Sequence, residues 1–169
     1  TTYLISKAVL SNSGNYYDMK DANGYSSSSY FLNGEGWGSN QFNGVNGTTQ
    51  TYNIATPSPY TGSDAPVTHF IGLSVSNSNA TNTTSITGPN HNFAWLFGTS
   101  QLQLYYEEFQ GYEQKRISLD IPTSLLVNGN TPVRYKILAS SSYATDYQAV
   151  SYISLRYPKI PTLNNQNYG

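Results

Sequence analysis

The sequence predicts an all-β protein, a sandwich of two antiparallel sheets of the jelly-roll type. Three observations lead to this prediction. Segments in which apolar and polar residues alternate with a period of two recur along the chain, most clearly from Asp146 to Pro158. The strand-favouring residues Tyr, Thr, Val and Ile are abundant. Amphipathic runs with the 3.6-residue period of a helix are missing, so we expect the sheets to cover each other.

A chain of 169 residues fits a single domain. A domain of this length buries roughly 70% of the surface that its unfolded form exposes, so its core needs no disulfide or metal ion for stability. We place the sandwich domain at residues 1–158. Residues 159–169 have little apolar content and are interpreted as a C-terminal tail.

The first half of the chain contains three strand candidates separated by polar segments. Residues 1–10 alternate, but both faces are partly apolar, so the sequence leaves open which face is buried. Residues 11–47 are rich in Gly, Asn and Ser with interspersed aromatic rings, and we predict one short strand there, at 29–32. Residues 49–55 form the next candidate, with Tyr52 and Ile54 facing inward. X-Pro steps at Pro57 and Pro59 mark the start of the loop that follows.

The second half follows the regular strand spacing of a sandwich. A strand is predicted at 67–76, and the Asn- and Thr-rich residues 77–92 are predicted to form an exposed loop. Alternating apolar residues predict further strands at 93–97, 102–106, 117–121, 133–139 and 146–157. We expect the last of these strands to have one buried face. One of its faces carries Ala149, Ser151, Ile153, Leu155 and Tyr157, and the other carries Val150, Tyr152, Ser154 and Arg156.

Composition argues against several classes of partner. Charged residues make up only 10% of the chain, with 8 Lys and Arg against 9 Asp and Glu, so we expect no nucleic-acid binding. No apolar run approaches the ~20 residues of a membrane helix, and we expect no membrane insertion. The chain has no Cys, which excludes disulfides and cysteine nucleophiles within it. Ser, Thr and Asn form about a third of the residues, a composition that predicts an extracellular or cell-surface location.

The sequence predicts a protein that is not an enzyme. A serine nucleophile requires a histidine that is itself oriented by a carboxylate, and the chain has two histidines, His69 and His91. His69 shares a strand face with apolar residues and is interpreted as a structural histidine. His91 falls in a Gly-Pro-Asn-His-Asn turn, where solvent exposure is expected. Glu107 and Glu108 are adjacent in a strand and would point to opposite faces, which does not suit glycoside hydrolysis.

The candidate metal ligands are Asp18, Asp21 and Asn23. They place three oxygen donors close to Gly24, which loosely follows the chemistry of a calcium-binding loop. The order of residues departs from that of an EF-hand, and the closing glutamate is missing. A structural Ca²⁺ site and an ordinary turn both fit this segment, and no other cofactor is expected.

The candidate ligand-binding residues are Tyr25, Tyr30 and Trp37. They belong to a segment dense in aromatic residues, in which Trp37 lies between glycines. Flat rings can stack on sugars while nearby Asn and Asp side chains bind hydroxyl groups, so a polysaccharide is one candidate ligand. The other interpretation is that these rings cover an open end of the sandwich.

Three stretches, Phe109–Tyr112, Ile121–Gly129 and Asp146–Pro158, together resemble a known domain. In order and spacing they are similar to the β-sandwich domain N-terminal to the peptidase domain in gingipain-type cysteine peptidases of Bacteroidota. Within that group they most resemble the PorU-type sortases of the type IX secretion system. Residues 34–38 are similar to a tryptophan-glycine segment of the same domain.

The resemblance implies a secreted or outer-membrane-associated module beside a cysteine-peptidase domain. The His-Cys dyad of the family belongs to that neighbouring domain and has no counterpart here, because this chain has no Cys. We therefore expect a non-catalytic role in docking, folding or assembly with a protein partner or neighbouring domain. Two alternatives stay open: a carbohydrate-binding module, and a structural subunit of a surface fibre formed by copies of the chain.

Overall fold

The structure is a computed structural model and describes residues 3–17, 36–44, 47–76, 89–111, 113–139 and 146–161. Strands occupy most of these ranges, together with one 3-10 turn, Thr123–Leu125. In chain order the strands are β1 (Leu4–Ser11), β2 (Asn15–Tyr17), β3 (Gly36–Gly38), β4 (Phe42–Asn43), β5 (Thr48–Thr56), β6 (Thr68–Ser76), β7 (His91–Phe97), β8 (Leu102–Phe109), β9 (Gln114–Ile121), β10 (Gly129–Ile137) and β11 (Tyr147–Lys159). Within the described ranges we find no helix with the length and apolar character needed to cross a membrane.

Nine of these strands form the two antiparallel sheets of a sandwich, five in one sheet and four in the other. One sheet has the order β1-β11-β6-β9, and the other has the order β5-β10-β7-β8. β4 pairs with the start of β11, and β2 pairs with β3 in a separate hairpin. From β5 onward most consecutive strands lie in different sheets, which is the connectivity of a jelly roll. The predicted all-β sandwich is confirmed.

Alternation along the strands builds a core between the two sheets. Tyr52 and Ile54 of β5 face inward, as predicted. At the centre, the ring centroid of Trp95 lies 5.1 Å from that of Phe70 and 4.8 Å from that of Tyr135, both edge-to-face. This geometry suits the charge distribution of aromatic rings and adds to the large apolar area that each of them buries.

Strand β11 changes its inward face at a β-bulge. Its register with β6 shifts between Val150 and Tyr152. Val150 therefore lies in the core together with Ile153, whereas Ala149 lies on the opposite face, under Gly38. The first half of the strand is buried on both faces. The prediction of one buried face with unbroken alternation was wrong, because the extra residue of a bulge reverses the side on which later residues lie.

A second irregularity interrupts β8. Trp95 of β7 pairs with Tyr105, but the next residue, Leu96, pairs with Gln103, so Leu104 is an extra residue in β8. Leu104 and Tyr105 both pack against the core, and Tyr106 turns outward. The alternation predicted for residues 102–106 therefore ends at this bulge.

Strand β7 begins at His91, so the last two residues of the predicted exposed loop are buried in a strand. The expectation that His91 is exposed was wrong. Its Nδ1 lies 2.8 Å from Asp146 Oδ1, and its ring stacks on Phe109 with centroids 4.7 Å apart. These contacts replace solvent at Nδ1 and on the ring face, whereas Nε2 is buried and has no hydrogen-bond partner among the described residues. The short strand predicted at 29–32 lies outside the described residues. The rest of residues 11–47 was predicted as loop, and this was wrong, because the segment contains the short strands β2, β3 and β4.

Buried hydrogen bonds form a polar bridge between the two sheets. The hydroxyl of Tyr135 on β10 contacts Gln148 Oε1 on β11 and lies 3.1 Å from Ser74 Oγ on β6. Gln148 Nε2 donates to the carbonyl of Asn92 on β7 at 2.8 Å and to Asp146 Oδ1 at 2.7 Å. Burial raises the pKa of Tyr135 well above its usual range, so the phenol stays neutral. We call these residues, with His91, the polar bridge.

Asp146 holds one end of the polar bridge and is fully buried. Besides Gln148 Nε2, its donors are His91 Nδ1 at 2.8 Å and the backbone N–H of Asn92 at 3.3 Å. A carboxylate taken out of water is tolerated only when donors replace the lost hydration. These three donors therefore fix Asp146 at the point where β11 begins.

Replacement of Asp146 by alanine is expected to lower the free energy of unfolding by about 3 kcal/mol, because three buried donors lose their acceptor. Asp120→Ala is a matched control: Asp120 Oδ1 lies 2.9 Å from His69 Nδ1, but the two side chains are 63% and 45% exposed. We expect a loss of roughly 1 kcal/mol or less for this variant. Urea unfolding followed by circular dichroism measures both. Equal losses would contradict a dominant role for the polar bridge.

Candidate functional site

Two aromatic rings project from the β2–β3 hairpin. Tyr16 pairs with Trp37 across the hairpin, and their ring centroids lie 5.4 Å apart. Trp37 is 55% exposed and Tyr16 is 47% exposed. Gly36 and Gly38 let the hairpin backbone lie close to the sheet, since a Cβ at either position would come within 3.2 Å of a side chain beneath it. The large rings consequently face solvent, and we call them the aromatic pair.

A polar cleft of about 450 Å³ lies at the end of the β2–β3 hairpin, where the paired residues Asn15 and Gly38 line it. Phe42 and Tyr52 give it aromatic surface, and Phe42 also packs edge-to-face on Tyr135 in the core, with centroids 5.9 Å apart. None of the described residues that line it is charged. Its amide side chains, which give it the name amide cleft, belong to Asn12, Asn15, Asn40, Gln41 and Gln50.

The bulge of β11 positions the walls of the amide cleft. A bulge leaves backbone groups outside the regular ladder. Here Asn12 donates its backbone N–H to Ser151 O at 2.8 Å and its side-chain amide to Val150 O at 2.9 Å. Ser39 donates its backbone N–H to Val150 O at 2.9 Å. Two cleft residues are therefore fixed to the strand that crosses the middle of the sandwich.

Hydrogen bonds within the amide cleft also fix its aromatic side. The hydroxyl of Tyr52 donates to Ser39 Oγ at 3.2 Å, and the hydroxyl of Tyr17 donates to Ser39 O at 2.7 Å. Burial raises the pKa of Tyr52 to about 12, so its phenol is neutral at physiological pH. Amide groups beside aromatic surface can bind a neutral ligand that has both hydroxyl groups and apolar faces.

The structure describes one of the three predicted ligand-binding residues, Trp37, and places it at the surface. Its partner Tyr16 was not predicted, because the pairing depends on the register of the hairpin. The described residues contain no group of three or more His, Asp or Glu side chains placed to hold a metal ion. The other predicted site residues lie outside the described ranges: Tyr25, Tyr30, Asp18, Asp21 and Asn23.

A serine, a histidine and an aspartate lie in contact on the outer face of the first sheet. Ser118 Oγ lies 3.1 Å from His69 Nε2, and His69 Nδ1 lies 2.9 Å from Asp120 Oδ1. His69 pairs directly with Asp120 across β6 and β9. His69 is thus a strand histidine with polar partners, and its strand face points to solvent while Phe70 points to the core.

The three groups follow the order of a nucleophile, a base and an orienting carboxylate. Catalysis by such groups also needs donors aimed at the developing oxyanion and exclusion of water. Here the side chains of His69 and Asp120 are 45% and 63% exposed, on the open face of a sheet. Cross-strand hydrogen bonding on a solvated sheet face accounts for these contacts.

No protein-family model and no curated protein matches the chain. Among solved structures, the chain is similar to dimeric latent PorU from Porphyromonas gingivalis, with a TM-score of 0.55 and 10% sequence identity. The similarity covers 93% of this chain and 13% of the PorU chain. At this identity the match shows a shared fold. It supports the resemblance to a PorU-type domain that the sequence suggested.

Proposed function

We propose that the chain is a non-catalytic jelly-roll module of a secreted Bacteroidota protein. It docks or assembles at an extracellular or outer-membrane surface, beside a cysteine-peptidase domain. The observation that carries this proposal is the match to PorU, in which 93% of this chain corresponds to only 13% of a much larger protein. A β-sandwich that forms so small a part of a protein contributes contact surface to the domains around it.

The edge strand β1 supports a docking role. It lies at the end of its sheet, and its described pairing is with β11. Its side chains Leu4, Ile5 and Val9 are 58%, 51% and 49% exposed. Ile5 and Val9 lie on the outer face of the sheet with Lys7, whereas Leu4 lies on the face that carries Ala8 and Leu10 toward the core. Native proteins usually protect the edges of their sheets, and exposed apolar side chains on one face of an edge strand mark an interaction surface.

Cross-linking of the natural full-length protein, isolated from the cells that produce it, tests the docking role. An amine-reactive reagent is expected to link Lys7 of β1 to a neighbouring domain, on the same or another polypeptide. Lys136 of β10 lies in the other sheet and is the control, for which we expect fewer such links. If neither the protein nor its cross-linked partners contain a cysteine-peptidase domain, the proposal is wrong.

Labelling with a fluorophosphonate probe tests whether Ser118 is a nucleophile. We expect no labelling, because an exposed sheet face offers little stabilisation for the charge that develops on the attacked group. Hydrolysis of 4-nitrophenyl acetate is expected to be the same for the unmodified protein and for Ser118→Ala. Labelling that is lost in Ser118→Ala and kept in Ser124→Ala, another exposed serine, would overturn the non-catalytic assignment.

The aromatic pair and the amide cleft favour a second function, the binding of a neutral polysaccharide. Tyr16 and Trp37 are exposed to solvent, and uncharged amides line the amide cleft, which shares Asn12 with a depression that Trp37 lines. A sugar presents apolar C–H faces to aromatic rings and hydroxyl groups to amides. A module of this kind would hold a larger protein on a polysaccharide surface, which is compatible with an extracellular location.

Trp37→Ala is expected to weaken polysaccharide binding about tenfold or more, since it removes a central aromatic anchor worth ~1.4 kcal/mol or more. Tyr106→Ala is the control: this ring is 45% exposed but lies on β8. Affinity electrophoresis with plant, host and bacterial polysaccharides, with and without Ca²⁺, measures the binding. The function is excluded if the unmodified protein binds none of them, or if both variants lose binding equally.

A further inference from the structure

The outer face of the β1-β11-β6-β9 sheet carries three cationic side chains, Lys7, Arg116 and Arg156. They are three of the chain's 8 Lys and Arg residues. None of the three forms an ion pair with another described residue. The carboxylate described on this face is Asp120, which is already bonded to His69. The face therefore has an excess of positive charge.

A cleft of about 460 Å³ crosses this face, and we call it the cationic cleft. Lys7 of β1 and Arg116 of β9 contribute its charged groups from opposite edges of the sheet. Ile71 and Leu73 of β6, together with Tyr152 of β11, give it apolar surface between them. The strand register explains this arrangement, because Leu73 pairs with Tyr152 on one side and with Arg116 on the other.

The two cations and the apolar surface of the cationic cleft together define the chemistry of a ligand that would bind there. A guanidinium binds a carboxylate through two parallel hydrogen bonds, and an ammonium adds a second cationic contact. The apolar surface between Lys7 and Arg116 favours an aliphatic side chain of the ligand. A nucleic acid would require a longer run of cations along its phosphates, and the apolar residues of the cleft would not contribute to binding it.

We propose that the cationic cleft binds an acidic segment of a partner protein, in which carboxylates flank apolar side chains. This inference rests on the proposed docking function and names the chemistry of the partner. Charge complementarity carries it, since Lys7 and Arg116 meet no described carboxylate within the chain. Ile5 and Val9 of the edge strand β1, on the same face as Lys7, extend this surface.

Fluorescence anisotropy with a labelled peptide tests this inference. The probe is a fluorescein-labelled peptide with two glutamates on either side of two leucines, and the matched control peptide has glutamines in their place. We expect the acidic peptide to bind at least tenfold more tightly than the control. Raising the ionic strength from about 0.02 M to about 0.3 M is expected to weaken its binding several-fold, because salt screens charges on an exposed face.

Charge-reversal variants locate the binding. Arg116→Glu and Lys7→Glu are each expected to weaken binding of the acidic peptide at least tenfold, and both positions are exposed, so the fold should persist. Lys136→Glu, on the other sheet, is the control and should bind the peptide as before. Thermal unfolding verifies that each variant is folded.

Several results would overturn the inference. These are equal binding of the two peptides, unchanged binding by Arg116→Glu and Lys7→Glu, or tighter binding of an oligogalacturonate than of the acidic peptide. If Lys7 still cross-links to a neighbouring domain while the peptide fails to bind, docking stands and the acidic partner is wrong. If Lys7 does not cross-link to a neighbouring domain and the acidic peptide does not bind, both the proposed docking function and this inference are wrong.

Discussion

The polar bridge is the interaction on which the rest of the fold depends. Apolar packing between the sheets is strong but has little direction, so it does not by itself fix how one sheet lies on the other. Hydrogen bonds are directional, and an unpaired buried partner is costly. Tyr135, Gln148 and Asp146 connect β10, β11 and β7 through such bonds, and Ser74 adds β6. The polar bridge therefore fixes how one sheet lies on the other.

The candidate site is built on β11, the strand that the polar bridge fixes. Gln148 pairs with Phe42 of β4, and the bulge that follows at Val150 offers backbone groups to Asn12 and Ser39. On the outer face of the same part of β11, Ala149 lies directly under Gly38. This contact determines how far the β2–β3 hairpin lies from the sheet. Displacement of β11 would thus move the amide cleft and the aromatic pair together. Bulges are frequent beside functional sites because they redirect backbone and side chains in this way.

Features that depend on local alternation could be predicted from the sequence, and features that depend on distant partners could not. The inward positions of Tyr52 and Ile54 follow from an unbroken period of two. The bulges in β8 and β11 could not be predicted from the pattern of polar and apolar residues. The local sequence around His91 is typical of a turn, but its acceptor, Asp146, lies 55 residues further along. In the site, the sequence placed Trp37 among the candidate ligand-binding residues, whereas the amide cleft is formed by segments that only the fold brings together.

The aromatic pair, the amide cleft and the cationic cleft form one continuous band on the surface. Their continuity helps to decide which kind of partner the module binds. A shallow depression that Trp37 lines shares Asn12 with the amide cleft, and it shares Leu73, Gln114 and Tyr152 with the cationic cleft. A neutral polysaccharide would use the rings and amides but would leave the cationic groups without a counter-charge. A protein segment can supply carboxylates, apolar side chains and backbone amides to all three. Because stable protein contacts need roughly 800 Å² on each partner, a band that spans several strands suits docking better than any one of its parts.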